Sequence, residues 1–155
     1  MSEESIEQVL RRWHTDDPKR VVGPGHPVGD FLEAPQWEVT QRGPGSLRLR
    51  AHLPAQVKNP RGELFGGFTA TYVDFAALHV FLTTRRPDEK PRWLTTASLH
   101  VNYFAPITGP EFEMLGTVMN RSGRTGYVQV EFFDRSGALC AIAQATLIEQ
   151  RSDDE

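Results

Sequence analysis

The sequence predicts an α+β protein in which an antiparallel β-sheet wraps around one central helix. The helix is predicted from residues 68–82, a largely apolar run without Gly or Pro. About fifteen residues are too few to span a bilayer, which takes roughly twenty, so we expect this helix inside its own protein. Stretches with period-two alternation lie on both sides of it. They indicate two strands, then the helix, then a meander of strands.

The remaining elements are predicted from the same patterns. Residues 3–16 place apolar side chains at helical spacing, so we expect a short amphipathic helix that docks on its own domain in preference to a partner protein. A further turn of helix is expected over residues 30–33. A half-exposed hairpin is expected from Trp37 to residue 53, and later strands are predicted at residues 96–104, 112–119, 127–133 and 138–148.

Alternation over residues 96–104 predicts the two faces of one strand. The apolar face carries Ala97, Leu99, Val101 and Tyr103. The polar face carries Thr96, Ser98, His100 and Asn102. An unbroken strand keeps these two sets on opposite sides of the sheet.

Composition sets limits on organisation and partners. The 155 residues carry a formal net charge of −3, which provides no basic surface for nucleic acid and no polybasic patch for a membrane. No linker or repeat interrupts the chain, so we expect a single domain over residues 1–155 with its core at about 30–150. The acidic first residues lack an apolar signal region, which predicts a cytoplasmic protein.

Three further features are interpreted as structural and not as parts of a catalytic site. Cys140 lies among apolar neighbours and is predicted to be a buried, inert thiol. The five histidines show no metal-ligand spacing, so no metal site is expected. The charged loop at residues 85–92 is expected to be a solvated connection, with the wall of a binding site as the alternative.

Asp74, near the middle of the apolar run, is the first candidate for chemistry. An ionised carboxylate in such surroundings costs several kcal/mol unless it is paired or hydrogen-bonded. It is either a catalytic group or a polar anchor at a subunit interface. The Gly66-Gly67 pair opens the helix, where amides without intrahelical partners favour negative charge. This end can hold an oxyanion, or the glycines only make a tight turn.

The residues around these glycines resemble a known family signature. The matching positions are Asn59, Gly62, Leu64, Phe65, Gly66, Gly67, Thr69, Ala70, Thr71, Val73 and Asp74. Their spacing resembles that of hotdog-fold acyl-CoA thioesterases, in the branch of 4-hydroxybenzoyl-CoA and phenylacetyl-CoA thioesterases. The order of elements agrees over residues 30–150. The runs at residues 96–106 and 123–125 also resemble the family's next strand and hairpin.

The resemblance implies a thioester hydrolase whose site is shared by two chains. In these enzymes the Gly amide comes from one subunit and the carboxylate from the other. Such sharing suits this sequence, because Asp74 lies about 10 Å along the helix axis from Gly67. We therefore expect a homodimer, paired into a dimer of dimers, in which Gly66 holds the oxyanion and the partner subunit's Asp74 acts as base or nucleophile. The substrate is an acyl- or aroyl-CoA thioester, and coenzyme A enters only as part of it.

The resemblance also assigns supporting residues. Asn59 is expected to position the thioester or the attacking water, although an Asn-Pro pair also initiates turns. Thr96 is expected to bind the attacking water near Asp74, and is otherwise an ordinary strand residue. The residues expected to contact substrate are Phe65, Gly67, His100, Arg121, Gly123 and Arg124. The two arginines of this set either hold the phosphates of coenzyme A or solubilise a turn.

Phe65 departs from the family pattern, and two other functions are considered as alternatives. The family usually has a histidine there that polarises the thioester carbonyl, and one lost donor of this kind costs about 3 kcal/mol of transition-state stabilisation. The first alternative is therefore a module that binds acyl-CoA or acyl carrier protein without hydrolysis. The second is a dehydratase or hydratase of the same fold, but the position of Asp74 fits the thioesterase pattern better.

Overall fold

A computed structural model describes residues 4–151, which form a six-stranded antiparallel sheet and one long helix. The helices are α1 (Ile6–Arg11), α2 (Pro27–Phe31) and α3 (Gly66–Leu82). The strands are β1 (Glu38–Gly43), β2 (Ser46–His52), β3 (Leu94–Tyr103), β4 (Glu111–Ser122), β5 (Thr125–Phe133) and β6 (Leu139–Glu149). The sheet order is β1-β2-β4-β5-β6-β3, so β1 and β3 are its edges. The predicted α+β class is confirmed.

Helix α3 is buried between two layers because it is apolar on nearly every side. One side packs on strands β3 to β6. The opposite side is covered by Trp37, whose ring stacks on Tyr72 and meets Phe75 edge-on, at centroid distances of 5.5 and 5.7 Å. Within residues 4–151 no helix is long and apolar enough to cross a membrane. The helix therefore forms the centre of the core, as its sequence predicts.

The backbone conformation defines where α3 begins, and side-chain hydrogen bonds close its other end. Phe65 precedes the helix in an extended conformation, with φ −63° and ψ 132°. At the other end, the hydroxyls of Thr83 and Thr84 donate to the carbonyls of Val80 and Phe81, each at 2.7 Å. These bonds satisfy two of the carbonyls that a helix end leaves without partners.

Strand β3 differs from the predicted alternation because it contains a β-bulge. The register with β6 shifts between Thr96 and Ser98, so one extra residue enters the strand at this point. Leu94 and Thr96 are half-buried, as are Leu99 and Val101 further along, whereas Ala97 is exposed. The prediction that Ala97 shares a face with Leu99 was therefore wrong. An extra residue reverses the facing of everything before it, which turns Thr96 toward the helix.

The two N-terminal helices differ from their predicted bounds. Helix α1 begins only at Ile6, where Ser5 and Gln8 form a capping box, and it ends well before the predicted residue 16. The predicted start at residue 3 lies outside the described residues. Helix α2 begins before the predicted turn at residues 30–33 and overlaps its first two residues, because Pro27 opens the helix and the ring of His26 caps it. Trp13 and Val21 pack against the core, so the N-terminal segment docks on its own domain.

Glycines at two sheet positions allow the carboxyl half of α3 to approach β4 and β5. A Cβ at Gly116 would lie 2.1 Å from Cγ2 of Val80, and one at Gly126 would lie 2.2 Å from Cε2 of Phe81. We expect Gly126→Ala to lower the free energy of unfolding by about 1–3 kcal/mol, because the rigid Phe81 ring must move. Equilibrium unfolding in urea measures the change.

Gly43→Ala is the matched control for this prediction, because a Cβ at Gly43 meets nothing within 4 Å. Its unfolding free energy is expected to stay equal or rise slightly, since alanine restricts the unfolded chain. Equal stabilities of the two variants would contradict the close helix–sheet approach.

Candidate functional site

Asp74 lies in the wall of a groove of about 600 Å³ between α3 and the start of β3. The helix lines the groove with Ala70, Thr71, Asp74 and Leu78. Their spacing of three and four residues places them on one helix face. The other walls are residues 93–96 with Leu99, and His26 with Val28 from the N-terminal segment. Asp74 is half-buried there, so the side of α3 that its own chain leaves open is the side with the carboxylate.

The carboxylate is held by Thr96 from β3. The Thr96 hydroxyl Oγ1 donates a hydrogen bond to Oδ1 of Asp74. Among residues 4–151, no group donates to Oδ2, and Asp74 lines the groove. A hydrogen-bond donor to one oxygen orients the carboxylate. The family resemblance predicted Thr96 near Asp74, and the bulge in β3 explains how its side chain turns toward the carboxylate.

The amino end of α3 forms a second, separate feature. No group in the described part of the chain accepts a hydrogen bond from the amides of Gly66 or Gly67, and no side chain caps the helix. The Tyr103 hydroxyl donates to the carbonyl oxygen of Gly66 from the end of β3. Phe65 leaves 53% of its surface exposed beside these amides, with its ring against Phe68 at 5.8 Å. The helix end therefore offers free donors next to an exposed aromatic ring.

One chain does not bring these two features to a single reacting atom. Asp74 follows Gly67 by seven residues in a continuous helix. Two turns place the carboxylate about 10 Å further along the axis. A thioester carbonyl that accepts from the Gly66 amide therefore lies out of reach of Asp74 in the same chain.

The Asn59 side chain makes hydrogen bonds within its own turn. Its side-chain oxygen accepts from the amides of Arg61 and Glu63 at 2.9 and 3.1 Å, and its amide nitrogen donates to the Glu63 carboxylate at 3.3 Å. This is the turn-forming reading of the Asn-Pro pair. A contact between Asn59 and substrate stays a prediction.

His100 is not brought to the groove. It lies on the exposed face of β3, and the groove lining includes Leu99 instead. The β-bulge separates it from Thr96, with which it shared a predicted face.

The three predicted residues of the β4–β5 hairpin lie at the carboxyl end of α3, about 25 Å from its amino end. The Arg121 guanidinium donates to the carbonyl and hydroxyl of Thr84 at 2.9 and 3.0 Å and pairs with Glu89 at 3.0 Å. These bonds hold Arg121 against the helix end, and its role as a phosphate ligand stays a prediction. Arg124 donates to the Glu149 carbonyl at 3.1 Å, and Gly123 makes the turn with φ +57°.

Two histidines near the groove were not predicted from the sequence to be site residues. His26 accepts from the Gly29 amide through Nδ1 at 3.1 Å, and burial lowers its pKa although Asp30 opposes the shift. Burial lowers the pKa of His79 to about 4, and His26 and Arg42 add to the effect. Both rings are therefore neutral near pH 7. The signal for His26 was its place before Pro27, where helices are capped.

Within residues 4–151, no cluster of three or more His, Cys, Asp or Glu side chains is arranged to hold a metal ion. The groups available for chemistry at this site are the Asp74 carboxylate, the Thr96 hydroxyl and the free main-chain amides at the start of α3. This set can orient an attacking water and stabilise an oxyanion.

Comparison with known families gives a match over the segment that contains both features. The family model described as "Thioesterase superfamily" matches residues 61–141, just over half of the chain. The matched segment includes the Gly66-Gly67 pair, Asp74 and Thr96. No curated protein sequence matches this chain.

Several solved structures share the architecture. Thioesterase HI1161 from Haemophilus influenzae has a TM-score of 0.70 at 12% identity, over 96% of this chain and 92% of its own. The PaaI protein from the E. coli phenylacetic acid degradation operon has a TM-score of 0.68 at 12% identity, over 83% and 87%. The smu.793 protein from Streptococcus mutans, bound to acetyl CoA, has a TM-score of 0.65 at 16% identity, over 74% and 89%. At these identities the likeness shows the fold.

The lowered pKa of His79 predicts a pH dependence of stability. The unfolded chain takes up a proton near pH 6.5 and the folded chain only near pH 4. Between these values the unfolded state binds more protons, so the free energy of unfolding falls as the pH is lowered through this window, by up to about 3 kcal/mol. Urea unfolding of the wild type and of His79→Gln from pH 7 to pH 4 measures it.

The variant is expected to lose this part of the slope, whereas His14→Gln, which removes an exposed ring, is expected to keep it. An NMR titration that places the His79 midpoint near 6.5 would contradict the prediction.

Proposed function

Because this chain belongs to the thioesterase superfamily, we propose that it hydrolyses an acyl- or aroyl-CoA thioester to a free acid and coenzyme A. The hotdog fold predicted from the sequence agrees with the solved structures of thioesterase HI1161 and of the PaaI protein. The observation that carries the proposal is the Asp74 carboxylate, which Thr96 orients in an open groove on the same helix that ends in free amides. The acetyl CoA bound to the S. mutans protein supports a CoA thioester as the ligand class.

The proposed reaction uses each of these groups once. The carbonyl oxygen of the thioester accepts from the Gly66 amide, and the helix dipole stabilises the negative charge that develops there. Asp74 either removes a proton from the attacking water or attacks the carbonyl carbon itself, giving an anhydride that water then opens. The C–S bond breaks, the thiolate of coenzyme A leaves and takes up a proton, and one water is consumed.

A second copy of the chain completes the site in this proposal. The open face of α3 runs from Gly67 to Leu78, and the edge strand β3 lies beside it. Trp93, Tyr103 and Phe104, at the two ends of β3, leave 40–59% of their surfaces exposed. Such an edge and apolar surface are suited to pairing with another copy.

Two α3 helices packed antiparallel about a two-fold axis place each Gly66 near the partner subunit's Asp74, which gives two equivalent sites. Further pairing into a dimer of dimers is part of the proposal.

The other predicted residues are proposed to contact the substrate. Phe65 and Gly67 border the oxyanion donors, so they contact the substrate nearest the scissile bond. Arg124 with Gly123 remains the proposed contact for the phosphates of coenzyme A, since within residues 4–151 the Arg124 guanidinium donates to a single main-chain carbonyl. Asn59 is proposed to contact the substrate from its turn. No metal or prosthetic group takes part.

Phe65 favours a second candidate function. Its ring stands beside the free amides and cannot donate a hydrogen bond, which suits a protein that binds acyl-CoA or acyl carrier protein without hydrolysing it. Thiol release across an acyl-CoA panel separates the two functions. Tight binding with no thiol release, unaffected by changes at Asp74, would favour the binding protein.

We expect Asp74→Asn to lower kcat for thiol release by about 10²–10⁴-fold, because the amide can neither accept the proton nor attack. KM is expected to change little, since the side chain keeps its size. Asp88→Asn makes the same change on an exposed loop and is expected to leave kcat unaltered. Equal loss in both variants, or none in Asp74→Asn, would contradict the assignment.

Thr96→Val tests the hydrogen bond that orients Asp74. Removal of a donor to a charged group corresponds to roughly a ten- to hundredfold loss in kcat. Thr96→Ser keeps the hydroxyl and is expected to keep most of the activity. If valine and serine behaved alike, Thr96 would have no part in orienting the carboxylate.

A further inference from the structure

A partly open apolar cavity of about 140 Å³ lies beside the groove, between the N-terminal segment and α3. A cavity of about 150 Å³ lined by apolar side chains holds one benzene molecule. We propose that this cavity, here called the acyl pocket, receives the acyl group of the substrate and selects compact, uncharged groups of about six carbons. The inference rests on the proposed thioester hydrolysis and names its substrate class.

The walls of the acyl pocket are apolar and come from three parts of the chain. The N-terminal segment contributes Leu10 and Trp13, helix α3 contributes Phe75 and Leu82, and Trp93 closes the side next to β3. Such a lining binds hydrocarbon by removing its surface from water.

The ionisable groups in the lining are His26 and His79. Burial lowers the pKa of both, so they are neutral near pH 7. An acyl group that carries a carboxylate or an amine finds no opposite charge there and is disfavoured.

The acyl pocket adjoins the groove that contains Asp74. The two cavities share His26, Phe75, Leu78, Trp93 and Leu94 in their linings. Phe75 directly follows Asp74, and Leu78 lies one helical turn beyond it, about 6 Å along the axis. A thioester carbonyl attacked by Asp74 therefore directs its acyl group past Leu78 into the pocket, while coenzyme A extends the other way.

The wall contributed by the N-terminal segment is held in place before any ligand binds. The Trp13 ring meets His26 edge-on at 4.8 Å, and His26 meets Phe75 in the same way at 5.1 Å. The Trp13 carbonyl accepts from the Gly23 amide at 2.8 Å. These contacts connect the segment to the residue next to Asp74. Leu10 and Trp13 lie outside the residues 61–141 that match the family model.

The test measures binding by calorimetry, without hydrolysis, with the S-methyl, S-benzyl, S-hexyl and S-dodecyl thioethers of coenzyme A. We expect the benzyl and hexyl compounds to bind at least about tenfold more tightly than the methyl compound, because they fill the pocket. The dodecyl compound is expected to bind no more tightly than the hexyl compound. Equal affinities for methyl and benzyl, or a steady gain up to dodecyl, would overturn the inference.

Three variants locate the effect. Leu10→Phe fills the pocket and is expected to lower benzyl affinity at least about tenfold with methyl affinity unchanged. Arg11→Phe adds the same ring at an adjacent exposed position and is expected to change neither. Trp13→Ala opens the wall and is expected to tighten dodecyl binding, and it serves as the test if Leu10→Phe does not fold. Unchanged benzyl affinity in Leu10→Phe, or unchanged dodecyl affinity in Trp13→Ala, would overturn the inference.

The same protein assayed for thiol release separates this inference from the proposed function. Graded thioether binding without thiol release from any thioester would overturn hydrolysis and retain the acyl pocket. Thiol release with no dependence of thioether affinity on the alkyl group would do the reverse.

Discussion

The structure depends on the burial of α3, a helix whose apolar side chains point in nearly every direction. The sheet covers one side, and Trp37 with the N-terminal segment covers another. One chain leaves a single face open, and Asp74 lies on that face. An ionised carboxylate fully enclosed in such a core would cost several kcal/mol. Asp74 avoids that cost through its access to the groove and its hydrogen bond from Thr96.

This constraint connects the fold to the proposed chemistry. Two groups on one continuous helix keep the same separation along its axis, however the helix packs. The 10 Å between them, estimated from the helix rise, is therefore fixed. A second helix running the opposite way supplies the missing group from outside, and the open face of α3 with the neighbouring edge strand β3 is where such a helix would pack. The proposed dimer follows from this separation along one helix.

The fold was predictable from the sequence because its main element carries a strong local signal. An uninterrupted apolar run next to a glycine pair indicates a buried helix, and alternating strands around it indicate the sheet. The position of Asp74 on the helix followed directly. The bulge in β3 did not, because the sequence alternates without a break through Ala97 and only the pairing with β6 reveals the extra residue. Thr96 therefore reaches Asp74 from what had looked like the other face.

Contacts between distant residues also escaped the sequence. The hairpin containing Arg121 was predicted, but its partners Thr84 and Glu89 lie 37 and 32 residues earlier. No local pattern reports such a pairing. His26 was missed for a similar reason: the loop that carries it has the composition of a connection, and only the tertiary structure places its ring between Trp13 and Phe75.

Mixing two inactive variants tests most directly whether the site is shared between chains. Gly66→Pro removes the amide N–H at the first helical position, where proline is tolerated, and Phe65 already has the extended conformation that precedes proline. Gly66→Ala keeps the amide, and its Cβ meets only Tyr103 at an ordinary 3.7 Å, so it controls for the side chain. Gly66→Pro and Asp74→Asn are then unfolded together, mixed in equal amounts and refolded.

Half of the dimers formed at random combine the two variants, and each of these contains one site with both native groups. The account predicts that the mixture recovers about one quarter of the wild-type thiol release, while each variant alone stays inactive. A mixture that forms the mixed dimer but remains as inactive as its components would contradict a site built from Gly66 of one chain and Asp74 of the other.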